Sequence, residues 1–254
     1  MLLAIDVGNT TITLGLYDGN VPGPRWRLET VRTRLADEYG LMLAALLAGA
    51  GLSTAAVTEA VISSVVPPLT GTWEEVCRRT LRLQPLVVGA GVKTGVRVLY
   101  DDPKAVGADR IVNAAAVKEL SGGPACVVDF GTGTTFDALS EKGEYLGGAI
   151  APGIGIASEA LHARAAKLPR VDLVRPPSAI GRNTEHAIQS GVLYGYAGLV
   201  EGMVGRFRAE LGPKMKVVAT GGYAELVAQE TDVLEIVAPW LTLDGLRLIA
   251  AMNR

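Results

Sequence analysis

A short turn of aspartate, glycine and threonine occurs twice in the chain, each time directly after an apolar run. Asp6–Thr10 follows the run Leu2–Ile5, and Asp129–Thr132 follows the run Ala125–Val128. Glycine lets the backbone of such a turn approach a ligand closely, so that N–H groups and threonine hydroxyls can donate to phosphate oxygens. The aspartate offers oxygen ligands to a cation that offsets phosphate charge. These residue types are also common in ordinary turns, so it is the repetition that favours a site for nucleotide phosphates.

A third candidate segment, Gly107–Arg110, lies just before a predicted helix over Ile111–Leu120. Two interpretations of its aspartate remain open. In the first, Asp109 caps the helix, which is worth about 1 kcal/mol. In the second, it accepts a proton from a substrate hydroxyl while Arg110 binds a carboxylate or the charge that develops in the reaction.

Two further polar segments also allow two interpretations each. Thr184 stands at the start of a long predicted helix, where it is either an N-cap or a hydrogen-bond donor to a substrate. Thr220–Gly222 follows the predicted strand Val217–Ala219. It is either a plain turn or a turn whose glycines let an adenine lie against the backbone.

Several familiar catalytic motifs are absent from the sequence. No Gly-Lys-Ser/Thr triplet occurs, which excludes a Walker A phosphate loop. Gly131 and Gly133 are not followed by a third glycine, since Phe136 stands at that position, so a Rossmann dinucleotide site is excluded too. The nucleophile elbow Gly-x-Ser-x-Gly is also missing. His162 and His186 lack a close histidine partner, which weakens a transition-metal or His-triad interpretation.

The composition is that of an ordinary globular chain. Its 254 residues carry a net charge of −2 and give a pI near 5.8, which argues against a nucleic-acid-binding domain, whose pI exceeds about 9. Cys77 and Cys126 are too few for a disulfide framework or a cysteine metal site. The N-terminus lacks the basic segment of a signal peptide, and the longest apolar stretch, Leu41–Leu52, is shorter than the roughly 20 residues of a membrane span. We therefore expect a cytoplasmic protein that binds neither nucleic acid nor a membrane.

Apolar β-type runs alternate with longer helical stretches, which is typical of an α/β fold. Besides the two runs already named, the predicted strands are Ala60–Val66, Leu86–Val88, Val217–Ala219 and Val233–Val237. The predicted helices are Ala36–Ala48, Thr70–Leu83, Ile111–Leu120, Ile154–Leu168, Thr184–Leu211 and Leu243–Met252.

The two halves of the chain follow the same plan. Each has an apolar run, the acid-Gly-Thr turn, a stretch of alternating apolar residues and a glycine turn, at Asp18–Gly19 in the first half and Lys142–Gly143 in the second. A duplicated α/β unit is the simplest explanation, with a boundary near Leu120–Pro124. This places one domain at residues 1–120 and the other at residues 121–254.

The predicted helix Thr184–Leu211 carries glycines at three- and four-residue steps. They are Gly191, Gly195, Gly198, Gly202 and Gly205, called the glycine stripe below. Each costs about 1 kcal/mol relative to alanine inside a helix, so their spacing on one face indicates that another backbone approaches closely. That backbone belongs either to the same chain or to a second copy.

Taken together and in order, these segments resemble the type III pantothenate kinase family. The resemblance rests on the two acid-Gly-Thr turns and on Gly107–Arg110, Gly147–Gly153, Gly181–Thr184 and Thr220–Gly222, which are collinear over nearly the whole chain. The family belongs to the acetate and sugar kinase, Hsp70 and actin superfamily. The resemblance therefore implies an α/β fold of two ribonuclease-H-like domains with ATP between them. It also implies ATP-dependent phosphorylation of pantothenate to 4'-phosphopantothenate, the first step of coenzyme A biosynthesis.

The same resemblance gives roles to individual residues. The implied ATP-binding residues are Asp6, Val7, Gly8, Asn9, Thr10, Thr11, Ile12, Thr13 and Thr132. The implied pantothenate-binding residues are Tyr100, Gly107, Ala108, Asp109, Arg110 and Thr184, with Asp109 as the catalytic base. A monovalent cation, K⁺ or NH₄⁺, is expected at Asp129, and Mg²⁺ is expected with ATP. Because an aspartate with a pKa of about 4 is a weak base for an alcohol, we expect Asp109 to orient the hydroxyl first and to accept its proton late. Members of the family are homodimers, which favours a contact between copies at the glycine stripe.

Three other functions remain open. Another kinase or phosphatase of the superfamily would use the same turns on a different acceptor, on which only Tyr100, Gly107–Arg110 and Thr184 bear. A non-enzymatic regulator is a second alternative, since some relatives are accessory factors in transcription. The presence of Asp6, Asp109 and Asp129 together favours an enzyme. A stand-alone ATP-binding module that works by domain closure needs extra subdomains, for which 254 residues leave little room.

Overall fold

The computed structural model describes residues 1–254 as an α/β protein. In chain order the strands are β1 (Leu2–Val7), β2 (Thr11–Asp18), β3 (Val21–Glu29), β4 (Glu59–Ser64), β5 (Leu86–Val87), β6 (Ala125–Phe130), β7 (Gly133–Leu139), β8 (Tyr145–Pro152), β9 (Lys216–Gly221) and β10 (Ile236–Val237). The helices are α1 (Ala36–Gly49), α2 (Pro67–Val76), α3 (Ala108–Ser121), α4 (Ile154–Arg164), α5 (Thr184–Leu211), α6 (Ala224–Ala228) and α7 (Leu241–Met252). A π-helical turn, Cys77–Leu81, directly follows α2, and 3₁₀ turns lie at Thr54–Ala56 and Pro103–Ala105. None of the helices has the length and apolar character needed to cross a membrane.

The chain divides into two compact units. Unit 1 comprises Met1–Val96, Asp102–Ala116 and Thr242–Arg254, and unit 2 comprises Arg97–Asp101 and Val117–Leu241. Each unit contains one five-stranded sheet.

The two sheets have the same topology. The strand order is β3-β2-β1-β4-β5 in unit 1 and, read from the corresponding edge, β8-β7-β6-β9-β10 in unit 2. In both sheets, the first three strands of the unit form an antiparallel meander. The first strand of the unit also pairs in parallel with the fourth, and the fourth pairs in parallel with the fifth. The matching order and direction confirm the duplicated α/β unit predicted from the sequence.

The core of unit 1 forms where one face of its sheet meets α1 and α2. Ile5, Ile12 and Leu14 are fully buried there, and they belong to one apolar cluster with Tyr39 of α1 and Trp73 of α2. The two aromatic rings lie 5.1 Å apart between centroids. Burial of side chains of this size is worth about 1.5–3 kcal/mol each, so this packing fixes the central strands that carry the first turn.

The core of unit 2 is built around the long helix α5. Val192, Tyr196 and Val200 of α5 are buried in one cluster with Val128 of β6. Asn183 precedes the helix, and its side chain accepts a hydrogen bond of 2.8 Å from His186 N. This cap and the apolar face of α5 explain why the helix has the bounds predicted from the sequence.

Several other elements differ from their predicted bounds. Helix α3 begins at Ala108 and not at Ile111, α7 begins at Leu241 and not at Leu243, and the strand predicted over Val233–Val237 is limited to Ile236–Val237. The helix predicted over Thr70–Leu83 begins at Pro67, since proline suits the first turn of a helix. The helix predicted over Ile154–Leu168 ends at Arg164. Pro169 disfavours helical conformation in Leu168, the last residue of the predicted helix.

Candidate functional site

The two aspartates of the acid-Gly-Thr turns occupy the same place in their respective sheets. Asp6 lies one residue before the end of β1 and is paired with Thr13 of β2. Asp129 lies one residue before the end of β6 and is paired with Thr135 of β7. Both aspartates are partly buried. Each unit therefore places one carboxylate at the end of its central strand.

In unit 1, the turn that follows Asp6 is closed by a glycine. Gly8 N donates to Thr11 O over 3.1 Å, and a Cβ at Gly8 would lie 2.9 Å from that oxygen. A side chain would therefore push the turn open. The closed turn leaves Asn9 and Thr10 exposed at the end of the strand.

Two residues that follow β3 hold this turn in place. Thr30 Oγ1 donates to Gly8 O over 2.7 Å, and Thr30 N donates to Thr10 O over 3.0 Å. Arg32 Nη2 donates to Asn9 Oδ1 over 2.9 Å. Neither residue could be identified from the sequence, because neither belongs to a motif and the contacts form only when β3 pairs with β2.

The second turn, in unit 2, is supported by the end of β8. Gly131 N donates to Gly133 O over 3.1 Å, and Gly153 N donates to Thr132 O over 3.1 Å. A Cβ at Gly153 would lie 2.5 Å from Gly131 O, so the segment can approach the turn only with glycine at this position. Thr132 is an exposed residue of this turn.

The Asp129 carboxylate lies beside a glycine of the turn Thr220–Gly222. Gly221 has φ +92°, and a Cβ there would lie 2.6 Å from Asp129 Oδ1 and 2.6 Å from Phe130 C. The backbone of this turn therefore approaches strand β6 closely at Gly221. Without a side chain at Gly221, the Asp129 carboxylate can pack directly against this turn. Carboxylate oxygens such as these are the donors that hard cations prefer. Nowhere do three or more His, Cys, Asp or Glu side chains lie close enough together to hold a metal ion by themselves.

Asp109 lies inside the first turn of α3 in unit 1. The helix begins at Ala108, so the interpretation of Asp109 as the N-cap is wrong. Asp109 Oδ1 accepts a hydrogen bond of 2.8 Å from Arg110 N. A Cβ at Gly107 would lie 2.5 Å from the same Oδ1 and 3.5 Å from Val65 Cγ1. The carboxylate thus occupies the space that glycine leaves open.

Burial changes the acidity of this carboxyl group. It raises the pKa of Asp109 above the ordinary value of 3.8, while the backbone N–H and the charge of Arg110 partly oppose the rise. A carboxylate with a raised pKa is a stronger base than an exposed aspartate. The expectation of an ordinary pKa of about 4 is therefore wrong for this position, and the site favours proton acceptance more than the sequence suggested.

Two residues expected to bind substrate, Tyr100 and Thr184, lie in unit 2. Tyr100 is 39% exposed. Thr184 is the first residue of α5 and is exposed. The interpretation of Thr184 as the N-cap of this helix is wrong, because Asn183 is the N-cap. Thr184 lines an open cavity of about 450 Å³ together with Ile188, Tyr196 and other mainly apolar residues. This cavity has no motif of its own in the sequence.

The glycine stripe lies on an open face of α5. Gly191, Gly195, Gly198 and Gly205 are exposed, and no atom lies within 4 Å of a Cβ added at any of them. Close packing against a backbone of the same chain, one of the two interpretations of the stripe, is therefore wrong.

Comparison with known proteins agrees with the order of the motifs. The family model described as Type III pantothenate kinase matches residues 2–206. The chain is also similar to a type III pantothenate kinase from Moorella thermoacetica, with 56% identity over 253 residues that cover 100% of both chains.

Solved structures agree on the fold. A Campylobacter jejuni protein named for the Baf family of transcriptional activators has a TM-score of 0.63 at 20% identity, with 99% of this chain and 98% of that one covered. A Sinorhizobium meliloti protein named as a 2-dehydro-3-deoxygalactonokinase has a TM-score of 0.59 at 14% identity, covering 100% and 99%. At these identities the likeness shows the fold alone, which is the sugar-kinase fold with two duplicated α/β domains.

Proposed function

The chain belongs to the type III pantothenate kinase family, which phosphorylates pantothenate with ATP in coenzyme A biosynthesis, and we propose that Asp109 orients the acceptor hydroxyl and takes its proton. One observation carries this proposal. The Asp109 carboxylate is held in the first turn of α3 by Arg110 N, in space left open by Gly107, and burial raises its pKa. A fixed carboxylate of raised basicity suits that role.

Phosphoryl transfer requires in-line positioning and neutralisation of charge more than covalent chemistry by the protein. In this account Asp109 directs the hydroxyl oxygen of pantothenate at the γ-phosphorus of ATP. As the new O–P bond forms and the bond to the ADP oxygen breaks, the hydroxyl proton passes to the carboxylate. General base catalysis of this kind is worth about 10²–10⁴-fold in rate.

The phosphates of ATP, which enters with a divalent metal ion, are assigned in this proposal to the acid-Gly-Thr turns. Within Asp6–Thr13, Asn9 and Thr10 are exposed, and Thr30 and Arg32 hold their turn. Thr132 is an exposed residue of the second turn. Donors fixed by the fold cost little to reorganise when phosphate binds, and this supports their assignment to the triphosphate.

The pantothenate-binding residues in this proposal are Tyr100, Gly107, Ala108, Arg110 and Thr184. Arg110 follows Asp109 on α3, and its guanidinium can pair with the carboxylate of pantothenate. Thr184 lies at a cavity whose mainly apolar lining suits the carbon skeleton of the substrate.

We assign a monovalent cation, K⁺ or NH₄⁺, to Asp129. The support is that Asp129, partly buried near the end of β6, offers carboxylate oxygens, the ligands that hard cations prefer. A bound cation would offset the negative charge of nearby phosphate oxygens. The part played by the protein is to hold Asp129 near the end of β6, where its carboxylate packs against Gly221.

We further propose that the chain acts as a homodimer in the cytoplasm. The exposed glycine stripe of α5 supports the dimer, because glycines with open space above them let the helix of a second copy approach closely. Cys77 and Cys126 are both free and buried, which suits a reducing compartment.

Replacement of the catalytic carboxylate tests the proposal. Asp109→Asn should keep the fold and ATP binding but lower kcat by about 10²–10⁴-fold in a coupled ADP-release assay with pantothenate. Asp102→Asn is the matched control, since Asp102 is an exposed aspartate whose carboxylate accepts from Lys104 N over 3.0 Å; it should keep wild-type kcat. A folded Asp109→Asn enzyme with near wild-type kcat would remove Asp109 from the mechanism.

A further inference from the structure

Backbone hydrogen bonds to Tyr145 and an ion pair between Arg97 and Glu144 attach the segment that carries Tyr100 near the start of β8. Leu99 N donates to Tyr145 O over 2.8 Å, and Tyr145 N donates to Arg97 O over 2.9 Å. These bonds form an isolated parallel bridge between Val98 and Tyr145 at the start of β8. The position of the Tyr145 backbone therefore determines where residues 97–100 lie.

Tyr145 is in turn held by a buried acid. Its ring is fully buried, and its hydroxyl donates to Asp137 Oδ1 over 2.8 Å. Asp137 is also fully buried, and its Oδ2 accepts from Thr135 Oγ1 over 2.9 Å. A buried carboxylate is costly unless it is hydrogen-bonded, so these bonds fix both side chains of the pair in one arrangement.

The ring of Tyr100 rests where a side chain is missing. Its centroid lies 6.3 Å from that of Tyr145, with 57° between the ring planes. Gly147 has φ +127°, and a Cβ at this position would lie 3.3 Å from Tyr100 Cε2 and 3.4 Å from Cδ2. Such distances are tighter than most real Cβ contacts, so a side chain at position 147 would push the ring away by a few tenths of an ångström.

From these contacts we propose that Tyr145, Asp137 and Gly147 are positioning residues for pantothenate. Asp137 fixes the Tyr145 hydroxyl, Tyr145 fixes the backbone of residues 97–99, and Gly147 provides the surface on which the Tyr100 ring lies. The inference rests on the proposed role of Tyr100 in pantothenate binding. The contacts that carry the inference lead to the Tyr100 segment, so we expect these residues to affect pantothenate binding and to leave ATP binding unchanged.

Two substitutions test the inference by different routes. Gly147→Ala displaces the Tyr100 ring, and Tyr145→Phe removes the hydroxyl bond to Asp137 while it keeps the aromatic ring. Each should raise the KM for pantothenate, by about tenfold for Gly147→Ala, and leave the KM for ATP unchanged, because a misplaced binding group weakens only the substrate it contacts.

Gly212→Ala is the control for backbone strain. Gly212 also has a positive φ, +93°, but no atom lies within 4 Å of a Cβ there. It carries the strain of a side chain at positive φ without any contact with Tyr100, so it should leave the KM for pantothenate unchanged. Equal KM values for Gly147→Ala and Gly212→Ala would overturn the inference.

A double-mutant cycle with Tyr100→Ala distinguishes this inference from the proposed role of Tyr100 in pantothenate binding. Tyr100→Ala should raise the KM for pantothenate, and Gly147→Ala should then add nothing, since the ring it displaces is gone. Effects that multiply in the double variant would overturn the positioning role of Gly147. If Tyr100→Ala itself leaves the KM unchanged, the proposed role of Tyr100 fails and the inference fails with it. If Tyr100→Ala raises the KM while Gly147→Ala and Tyr145→Phe do not, only the inference fails.

Discussion

The space beside Gly107 sets the position of the proposed catalytic carboxylate, and filling that space should slow the reaction. In Gly107→Ala the added Cβ would lie 2.5 Å from Asp109 Oδ1, whereas ordinary contacts begin at 3.4 Å. The carboxylate must therefore move by about 0.9 Å, and a displacement of about 1 Å in a reacting group costs on the order of 10²-fold in rate. We expect kcat to fall by about that factor.

A coupled ADP-release assay at saturating ATP and pantothenate measures this change, and equilibrium binding of ATP shows whether the nucleotide site is intact. Gly71→Ala is the matched control, because Gly71 is exposed in α2 of unit 1 and no atom lies within 4 Å of the added Cβ. It should keep wild-type kcat and ATP binding. A folded Gly107→Ala enzyme with kcat within about twofold of wild type would refute the placement of Asp109 in the reactive state.

Three further predictions follow from the same contacts. Activity should fall as pH drops through a pKa above the ordinary 3.8 of aspartate, because the carboxylate form of Asp109 accepts the proton; a pH profile of kcat/KM that stays flat through that range contradicts this. Gly221→Ala should weaken activation by K⁺, since its Cβ would lie 2.6 Å from Asp129 Oδ1; a K⁺ titration against Na⁺ that matches wild type would place the cation elsewhere. Gly198→Arg should yield a monomer in light scattering while Gly49→Arg, also exposed with open space above it, yields a dimer; a dimeric Gly198→Arg protein would exclude the stripe as the contact.

The duplicated architecture could be predicted from local sequence patterns. An apolar run that ends in an aspartate, followed by a glycine turn and alternating apolar residues, specifies a strand, a turn and a returning strand wherever it occurs. Asp6 and Asp129 mark the two copies, and the structure gives both sheets the same strand order. Helix α5 was also predictable, since its apolar period is long and Gly212 and Pro213 end it.

The contacts that tune the candidate site could not be predicted from the sequence, because they depend on the bounds of helices, on strand pairing and on burial. Asp109 fits the pattern of an N-cap, and only the start of α3 at Ala108 places it inside the helix. The rise in its pKa depends on burial, which no local motif reports. The same holds for Asp137, an acid in an otherwise ordinary strand whose partner Tyr145 lies on the neighbouring strand.

The role of the glycine stripe could be predicted only in part from residue type and spacing. Its spacing indicates close approach of a backbone, but spacing does not say whose backbone it is. The open space above Gly191, Gly195, Gly198 and Gly205 removes the same chain from the choice.

Rapid-quench measurement of a single turnover, with ATP and pantothenate both bound, tests the role of Asp109 most directly because it separates phosphoryl transfer from binding and product release. For Asp109→Asn we predict that both dissociation constants stay near those of wild type and that the transfer step slows by about 10²–10⁴-fold. A transfer step as fast as that of wild type would contradict the account.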